Sequence, residues 1–319
     1  VDDGKVYGLF ELSKGASRGQ FNLPRGIATD SAGNFYVADT ANYRIQKFGP
    51  DGKFLATIGN GKGSGDGQFN PINEGGVGTG IGGIAVDAAG NIYAADTWNH
   101  RIQKFGPDGK FLAKWGEFIS LADPNAAGDA GRDTKFYGPR GVAVGPDGNV
   151  YVTDTGNKRV SIFDTNGKFL RQISSNLTPE RIAQNYAFNQ PGEMNEPIGI
   201  AVDAQGNVYV ADSLNKRIQK FDAAGKFVAQ WPVPGTNWES GAYLEPFLAV
   251  DAQGNVYATA PTGTAVLKYN PQGQLVATKK SAGAITLKAP TGITVAPNGN
   301  VVVVDTTGNG VVNLGQITP

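Results

Sequence analysis

Residues 44–56 read RIQKFGPDGKFLA, from Arg44 to Ala56, and the same run returns unchanged from Arg101 to Ala113. It predicts a hairpin: a strand-like segment Arg44-Ile45-Gln46-Lys47-Phe48, a turn at Gly49-Pro50-Asp51-Gly52, and a second strand from Lys53. Proline presets φ for such a turn, and glycine accepts the positive φ that completes it. Looser copies start at Arg159 (RVSIFDTNGKFLR), Arg217 (RIQKFDAAGKFVA) and Ala265 (AVLKYNPQGQLVA). A hairpin repeated this closely is a building block of a fold.

A second hairpin precedes each copy. Ahead of Arg44 stand Gly26-Ile27-Ala28-Thr29-Asp30, a turn ending in Gly33-Asn34, and Phe35-Tyr36-Val37-Ala38-Asp39. The Gly-Asn turn recurs at Asn91, Asn149, Asn207, Asn255 and Asn300, at intervals of 45 to 58 residues. Four short strands per unit at this period specify a β-propeller of four-stranded antiparallel blades. The strands are apolar on both faces, as in Val208-Tyr209-Val210-Ala211, which suits blades sandwiched between neighbours. The sixth copy runs out of chain before its outer strand, while Asp3-Gly4-Lys5-Val6-Tyr7 echoes Asp51-Gly52-Lys53-Phe54-Leu55. The expectation is an all-β, single-domain, six-bladed propeller over residues 1–319. Residues 1–14 are expected to complete blade six, with residues 5–12 pairing beside 311–317 to close the ring.

Composition agrees and narrows the function classes. Glycine supplies 46 of 319 residues, about twice the usual ~7%, as a turn-rich chain needs. Basic and acidic residues balance at 28 each, so no global field draws the chain to nucleic acid or an anionic membrane. No apolar run has the length of a membrane span, and the absence of cysteine removes disulfide and thiolate chemistry. The chain begins at Val1, which sets the expectation of a mature or excised segment of extracytoplasmic, secreted origin.

The run Asp96-Thr97-Trp98-Asn99-His100-Arg101-Ile102 resembles the NHL repeat, named for an Asn-His-Leu motif. The upstream stretches Gly19-Gln20-Phe21-Asn22-Leu23-Pro24-Arg25-Gly26 and Gly65-Asp66-Gly67-Gln68-Phe69-Asn70 resemble the start of that family's blades. Copies five and six depart from it: Ala260 replaces the aspartate, and Ala265 and Gly310 replace the arginine. The resemblance implies a propeller. It leaves function open among protein, peptide and RNA binding, sensing and a few enzymes. The family's zinc-dependent amidating lyases use several histidines, and this chain has only His100. Six-bladed gluconolactonase-like hydrolases hold a divalent ion with an acidic residue, where this chain reads Asn22-Leu23-Pro24-Arg25-Gly26. No catalytic residue, metal ligand or cofactor is assigned on this reading.

Asp39/Arg44, Asp96/Arg101, Asp154/Arg159 and Asp212/Arg217 bracket the turn between the second and third strands, so structural ion pairs are expected there. Asp30, Asp87, Asp203 and Asp251 are expected to brace the first hairpin turn. His100 reads as a turn residue. Every long segment (59–82, 116–139, 174–197, 232–246) connects one blade to the next on a single face, where binding residues concentrate. These loops carry Phe118, Phe136, Tyr137, Tyr186, Phe188, Trp238 and Tyr243, and the adjacent turns add Tyr43 and Trp98. Some of these rings are expected to fold inward.

The position between Pro and Gly at each blade's start (Arg25, Gly82, Arg140, Ile198, Phe247 and Thr291) is expected to ring the mouth of the central channel. Arg25 and Arg140 either receive a carboxylate or phosphate there or pair with a loop acid. The candidate binding set is Arg25, Arg140, Phe247, Tyr43, Trp98, His100, Tyr137 and Trp238. The leading reading is a non-catalytic module, monomeric or part of a larger chain, that binds a protein, peptide or glycan on the long-loop face. The alternatives are a lyase or hydrolase acting at the channel mouth, and RNA binding. The last is disfavoured because the loops mix Lys62, Arg132 and Arg181 with Asp66, Glu74, Asp129 and Glu193.

Overall fold

The computed structural model describes residues 14–70, 80–120, 133–174, 180–181, 184, 186–233 and 245–318. Blade one is β1 (Ile27–Thr29), β2 (Phe35–Asp39), β3 (Arg44–Phe48) and β4 (Phe54–Ile58). Blade two is β5 (Ile81–Val86), β6 (Ile92–Asp96), β7 (Arg101–Phe105) and β8 (Phe111–Trp115). Blade three is β9 (Pro139–Val144), β10 (Val150–Asp154), β11 (Arg159–Phe163) and β12 (Phe169–Ser174). Blade four is β13 (Pro197–Val202), β14 (Val208–Asp212), β15 (Arg217–Phe221) and β16 (Phe227–Pro232). Blade five is β17 (Leu248–Val250), β18 (Val256–Ala260), β19 (Ala265–Tyr269) and β20 (Leu275–Lys279). A small hairpin, β21 (Ser281–Ala282) and β22 (Ile285–Thr286), then leads to blade six: β23 (Pro290–Val295), β24 (Val301–Asp305) and β25 (Gly310–Gly315).

Within every blade the strands pair antiparallel in chain order. The inner strands β1, β5, β9, β13, β17 and β23 each touch the next, and β23 returns to β1, so the six sheets form a closed ring. Blade six shows three strands among the described residues. The pairing expected of residues 5–12 falls outside the described residues.

The core is six layers, one between each pair of neighbouring blades. Ile45 and Ile58 of blade one pack with Ile84 and Phe105 of blade two, and Trp115 of blade two with Val142 and Phe163 of blade three. The seam between blades six and one is built the same way, from Val302, Val304 and Val311 against Phe21, Val37 and Phe48. Strands apolar on both faces are what this sandwich demands. Stacked burial of this kind is the dominant favourable contribution to folding.

Polar contacts also cross the blade boundaries near the axis. Thr40 Oγ1 donates to the Ile81 carbonyl at 2.9 Å, Thr155 Oγ1 to Pro197 at 2.7 Å, and Thr259 Oγ1 to Thr291 at 2.7 Å. At the closing seam Thr306 Oγ1 donates to the Pro24 carbonyl at 2.7 Å, and the Leu23 N–H donates to Asn309 Oδ1 at 3.0 Å. Glycine permits this approach. A Cβ on Gly141 would sit 2.2 Å from the Ile198 carbonyl oxygen, and one on Gly292 would sit 2.1 Å from that of Arg25.

Gly292→Ala is therefore expected to destabilise the ring by about 1–3 kcal/mol, because the obstruction is backbone and cannot swing aside. Thermal or urea unfolding measures this, and an unchanged midpoint would show that the seam can part without cost.

Candidate functional site

Each regular blade has a buried carboxylate at the end of its second strand. Asp39 Oδ2 accepts from Arg44 Nε at 2.7 Å, Asn42 Nδ2 at 2.9 Å and Gln46 Nε2 at 3.0 Å, while Oδ1 accepts the Asn22 N–H at 2.8 Å. Asp96, Asp154 and Asp212 repeat the arrangement, with Arg101, Arg159 and Arg217 at 2.8, 2.8 and 2.7 Å. All four aspartates are fully buried. Burial pushes each carboxyl pKa up, and the arginine and amide donors oppose it.

The guanidinium groups reach further than the turn. Arg101 donates to the carbonyls of Ser64, Gly65 and Gln68, and Arg217 to those of Asn189, Gln190 and Glu193. Each pair thus pins the long loop that precedes its own blade, a role that spacing alone did not reveal. Blade three has Ser161 in place of the glutamine, and its hydroxyl is buried without a hydrogen-bond partner among the described residues. In blade six Asp305 accepts the Lys288 and Ala289 N–H groups at 2.9 and 2.7 Å. The first-turn aspartates also act locally: Asp30 takes Asn34 N and Nδ2 at 2.9 and 2.8 Å and the Tyr36 hydroxyl at 3.0 Å.

Of the two outcomes expected for the arginines at the channel mouth, the structure shows pairing with an acid. Arg25, Ile198, Phe247 and Thr291 are buried, and Arg25 is not a surface residue at all. Arg25 Nη1 donates to Glu245 Oε2 at 2.7 Å, and Arg140 Nε lies 2.9 Å from Glu245 Oε1. Arginines of blades one and three thus converge on one acid at the start of blade five. The Phe247 ring comes within 3.1 Å of where a side chain on Gly83 would begin, so it lies across the axis from blade five to blade two. These groups close the loop-face end. On the other side the channel widens to about 200 Å³ between residues 26–29, 83–86, 142–144, 200–202, 247–250 and 293–295, none of them titratable.

The loop face instead offers a pocket of about 270 Å³ away from the axis, lined by Trp98, Tyr137, Arg140, Thr155, Lys158 and Glu196 over a floor of Gly138 and Gly156. Tyr137 is placed by its own N–H, which donates to Asp154 Oδ1 at 2.7 Å, and its ring lies over Gly156, where a Cβ would meet Cγ at 2.5 Å. Trp98 follows Thr97 in the short 3-10 turn Thr97–Asn99, and His100 closes that turn in the left-handed region at φ 52°. Its Nδ1 accepts the Gly138 N–H at 3.1 Å, which puts the proton of the neutral ring on Nε2. Burial lowers the His100 pKa. The ring also contacts Phe118 at 4.8 Å between centroids, and Trp98 and Tyr137 at 5.9 and 6.1 Å.

Tyr43, His100, Lys158 and Asn309 hold the same left-handed turn position in their blades, and each reaches the start of the next blade. Lys158 bonds Asn195 Oδ1 and lies 5.3 Å from the Phe188 ring centroid. Burial lowers its pKa while Glu196 and Asp212 oppose that. Tyr43 packs into the layer between blades one and two, away from the pocket. Phe136 and Phe188 are core residues, whereas Phe118 is 57% exposed. Trp238 lies outside the described residues. Trp98, Tyr137 and Arg140 are brought together, with His100 behind them. Lys158, Glu196 and Glu245 were missed, since no local pattern marks a residue that acts only across a blade boundary. Among the described residues no three of His, Cys, Asp and Glu cluster as metal ligands would.

A six-bladed propeller with its pocket on the long-loop face is the class that fold and geometry define. The NHL repeat model matches residues 21–48, 80–105, 136–163 and 194–221, blades one to four, and the chain belongs to the NHL-repeat propellers. The peptidylglycine alpha-amidating monooxygenase of Rattus norvegicus is 30% identical over 171 residues, which is 51% of this chain and 16% of that protein. The protein brain tumor of Drosophila melanogaster is 31% identical over 160 residues, 50% of this chain and 13% of that one. The chain therefore spans well under a quarter of either relative. Among solved structures, a gluconolactonase from Xanthomonas campestris superposes with a TM-score of 0.62 at 16% identity, covering 93% of this chain and 86% of that one, a likeness of fold.

Two outcomes follow from this geometry. Asp96→Ala should cost about 3–5 kcal/mol of unfolding free energy by leaving a buried charge unpaired, whereas Tyr137→Ala should cost clearly less; equal losses would contradict the division between scaffold and pocket. His100, the single histidine, should titrate below its ordinary value of 6.5 as the Nε2–H tautomer. A folded pKa below the unfolded one means that protonation favours the unfolded chain. His100's contribution is complete above about pH 6.5 and declines as the pH falls through that value. Nitrogen-resolved NMR of the imidazole reads both, and a pKa above 6.5 would contradict the placement.

Proposed function

We propose that this propeller is a binding module that holds a partner on its long-loop face and does not transform it. The observation that carries the reading is the pocket at Trp98, Tyr137, Arg140, Lys158 and Glu196, which combines an aromatic wall with a few convergent polar groups. Aromatic rings give large contact area at low entropy cost, and a rigid scaffold holds them in place. The module works in an extracytoplasmic setting, alone or as one part of a larger chain, with a protein, peptide or glycan as its partner. No described helix is long and apolar enough to cross a membrane.

The second reading is a lyase or hydrolase at the axis. It draws on the partial match to an amidating monooxygenase. Against it stand the closed loop-face end of the channel and the untitratable lining beyond it.

Glycan and peptide arrays probed with the whole chain should give a binder that weakens about tenfold or more on Trp98→Ala plus Tyr137→Ala with little change in Tm. Lactone, ester and peptide substrates should show no turnover, with or without added divalent metal. Metal-dependent hydrolysis abolished by a substitution at the axis would replace this reading with the enzymatic one.

A further inference from the structure

We infer that the loop-face pocket takes the carboxylate of an acidic sugar, with Arg140 as its anion contact, Trp98 and Tyr137 as its walls, and Thr155, Lys158 and Glu196 facing the hydroxyls. This deepens the binding reading above and rests on it.

Arg140 differs from the four scaffold arginines of the loop face. Arg44, Arg101, Arg159 and Arg217 each engage a buried aspartate and carbonyls of the preceding loop. Arg140 has the Glu245 contact at 2.9 Å, and that contact lacks hydrogen-bond geometry, leaving Nε buried without a bonded acceptor. Among the described residues no N–H of Arg140 makes a hydrogen bond, yet its side chain is only 17% exposed and lines the pocket. Glu245 divides its charge, since its other oxygen accepts from Arg25 at 2.7 Å. A guanidinium presents five donors in a planar fork that matches a carboxylate, and leaving such donors unmet in a half-buried site is costly. A carboxylate bound in the pocket would meet the Nη donors and supply the charge that a shared Glu245 supplies only in part.

The remaining lining selects a sugar over a peptide side chain. About 270 Å³ is room for a single ring with its substituents, below the usual drug-sized range. Lys158 donates, while Glu196 and the Thr155 hydroxyl, whose own hydrogen goes to the Pro197 carbonyl, accept, the mixture that ring hydroxyls require. An apolar side chain in the same space would bury the charged ends of Lys158 and Glu196 further and return no hydrogen bonds.

Calorimetry on the full chain tests this with glucuronate- and galacturonate-containing oligosaccharides, their neutral hexose counterparts, and short peptides ending in phenylalanine as free acid or amide. The acidic oligosaccharides should bind about tenfold or more tightly than the neutral ones, the size of one charge-assisted contact. Added NaCl should narrow that gap, and Arg140→Gln should remove it. Glu245→Gln, which takes away the competing carboxylate, should tighten acid binding, with Tm measured alongside; the salt and Arg140→Gln readouts stand even where this variant melts early. Equal affinity for acidic and neutral sugars, indifference to Arg140→Gln, or binding of the free-acid peptide alone overturns the proposal. A different array partner, weakened by Tyr137→Ala yet blind to Arg140→Gln, would leave the loop-face reading standing and remove this one. No partner sensitive to Tyr137 would remove both.

Discussion

A buried carboxylate repeated in four blades is the constraint on which the rest of the molecule depends. Asp39, Asp96, Asp154 and Asp212 sit where the second strand ends, out of reach of water. Each needs its full complement of donors, because a buried charge short of partners is strongly destabilising. The arginine, the turn asparagine and a backbone N–H of the incoming loop supply them, joined by a glutamine in blades one, two and four. One electrostatic demand therefore fixes a turn, a neighbouring strand and a long loop together. The loops are long in sequence yet anchored at their bases, and side chains near those anchors hold defined positions.

That anchoring explains why the pocket lies off the axis. The inner strands approach so closely at the loop-face end that glycines are needed opposite neighbouring carbonyls, and Arg25, Glu245 and Phe247 fill what space is left. Between blades two, three and four, by contrast, anchored loop ends meet turn residues of the preceding blade. There the left-handed residues His100 and Lys158 bridge the boundary, and Tyr137 stands over a glycine that leaves it room. Blade three also has Ser161 where a glutamine clips the loop in blades one, two and four, so the pocket's own loop lacks the two hydrogen bonds that glutamine makes there.

The sequence shows the fold because its determinants are local and repeated. The hairpin of Arg44 to Ala56 and the five-residue spacing of Asp96 and Arg101 each lie within one supersecondary unit. Trp98, Tyr137 and Arg140 were legible as residue types on the loop face. What could not be read is long-range. Glu245 meets Arg25 across 220 residues, and nothing near either one announces it. Phe136 looks like a loop aromatic and is a core residue, because the plug between two blades uses the same residue type as an exposed contact. Lys158 holds the repeated turn position of Tyr43 and His100 without their ring, and Glu196 carries no pattern of its own. They matter through positive φ and through the next blade, neither of which is written in periodicity.

Hydrogen–deuterium exchange with and without a bound partner tests the central claim most directly, since it reports where binding is felt around the whole ring. The account predicts added protection in peptides covering 97–100, 136–140, 155–158 and 195–197, and none in the short turns of the opposite face at 30–34, 87–91 and 145–149. Protection concentrated at 142–144, 200–202 and 293–295, on the open side of the channel, would contradict it.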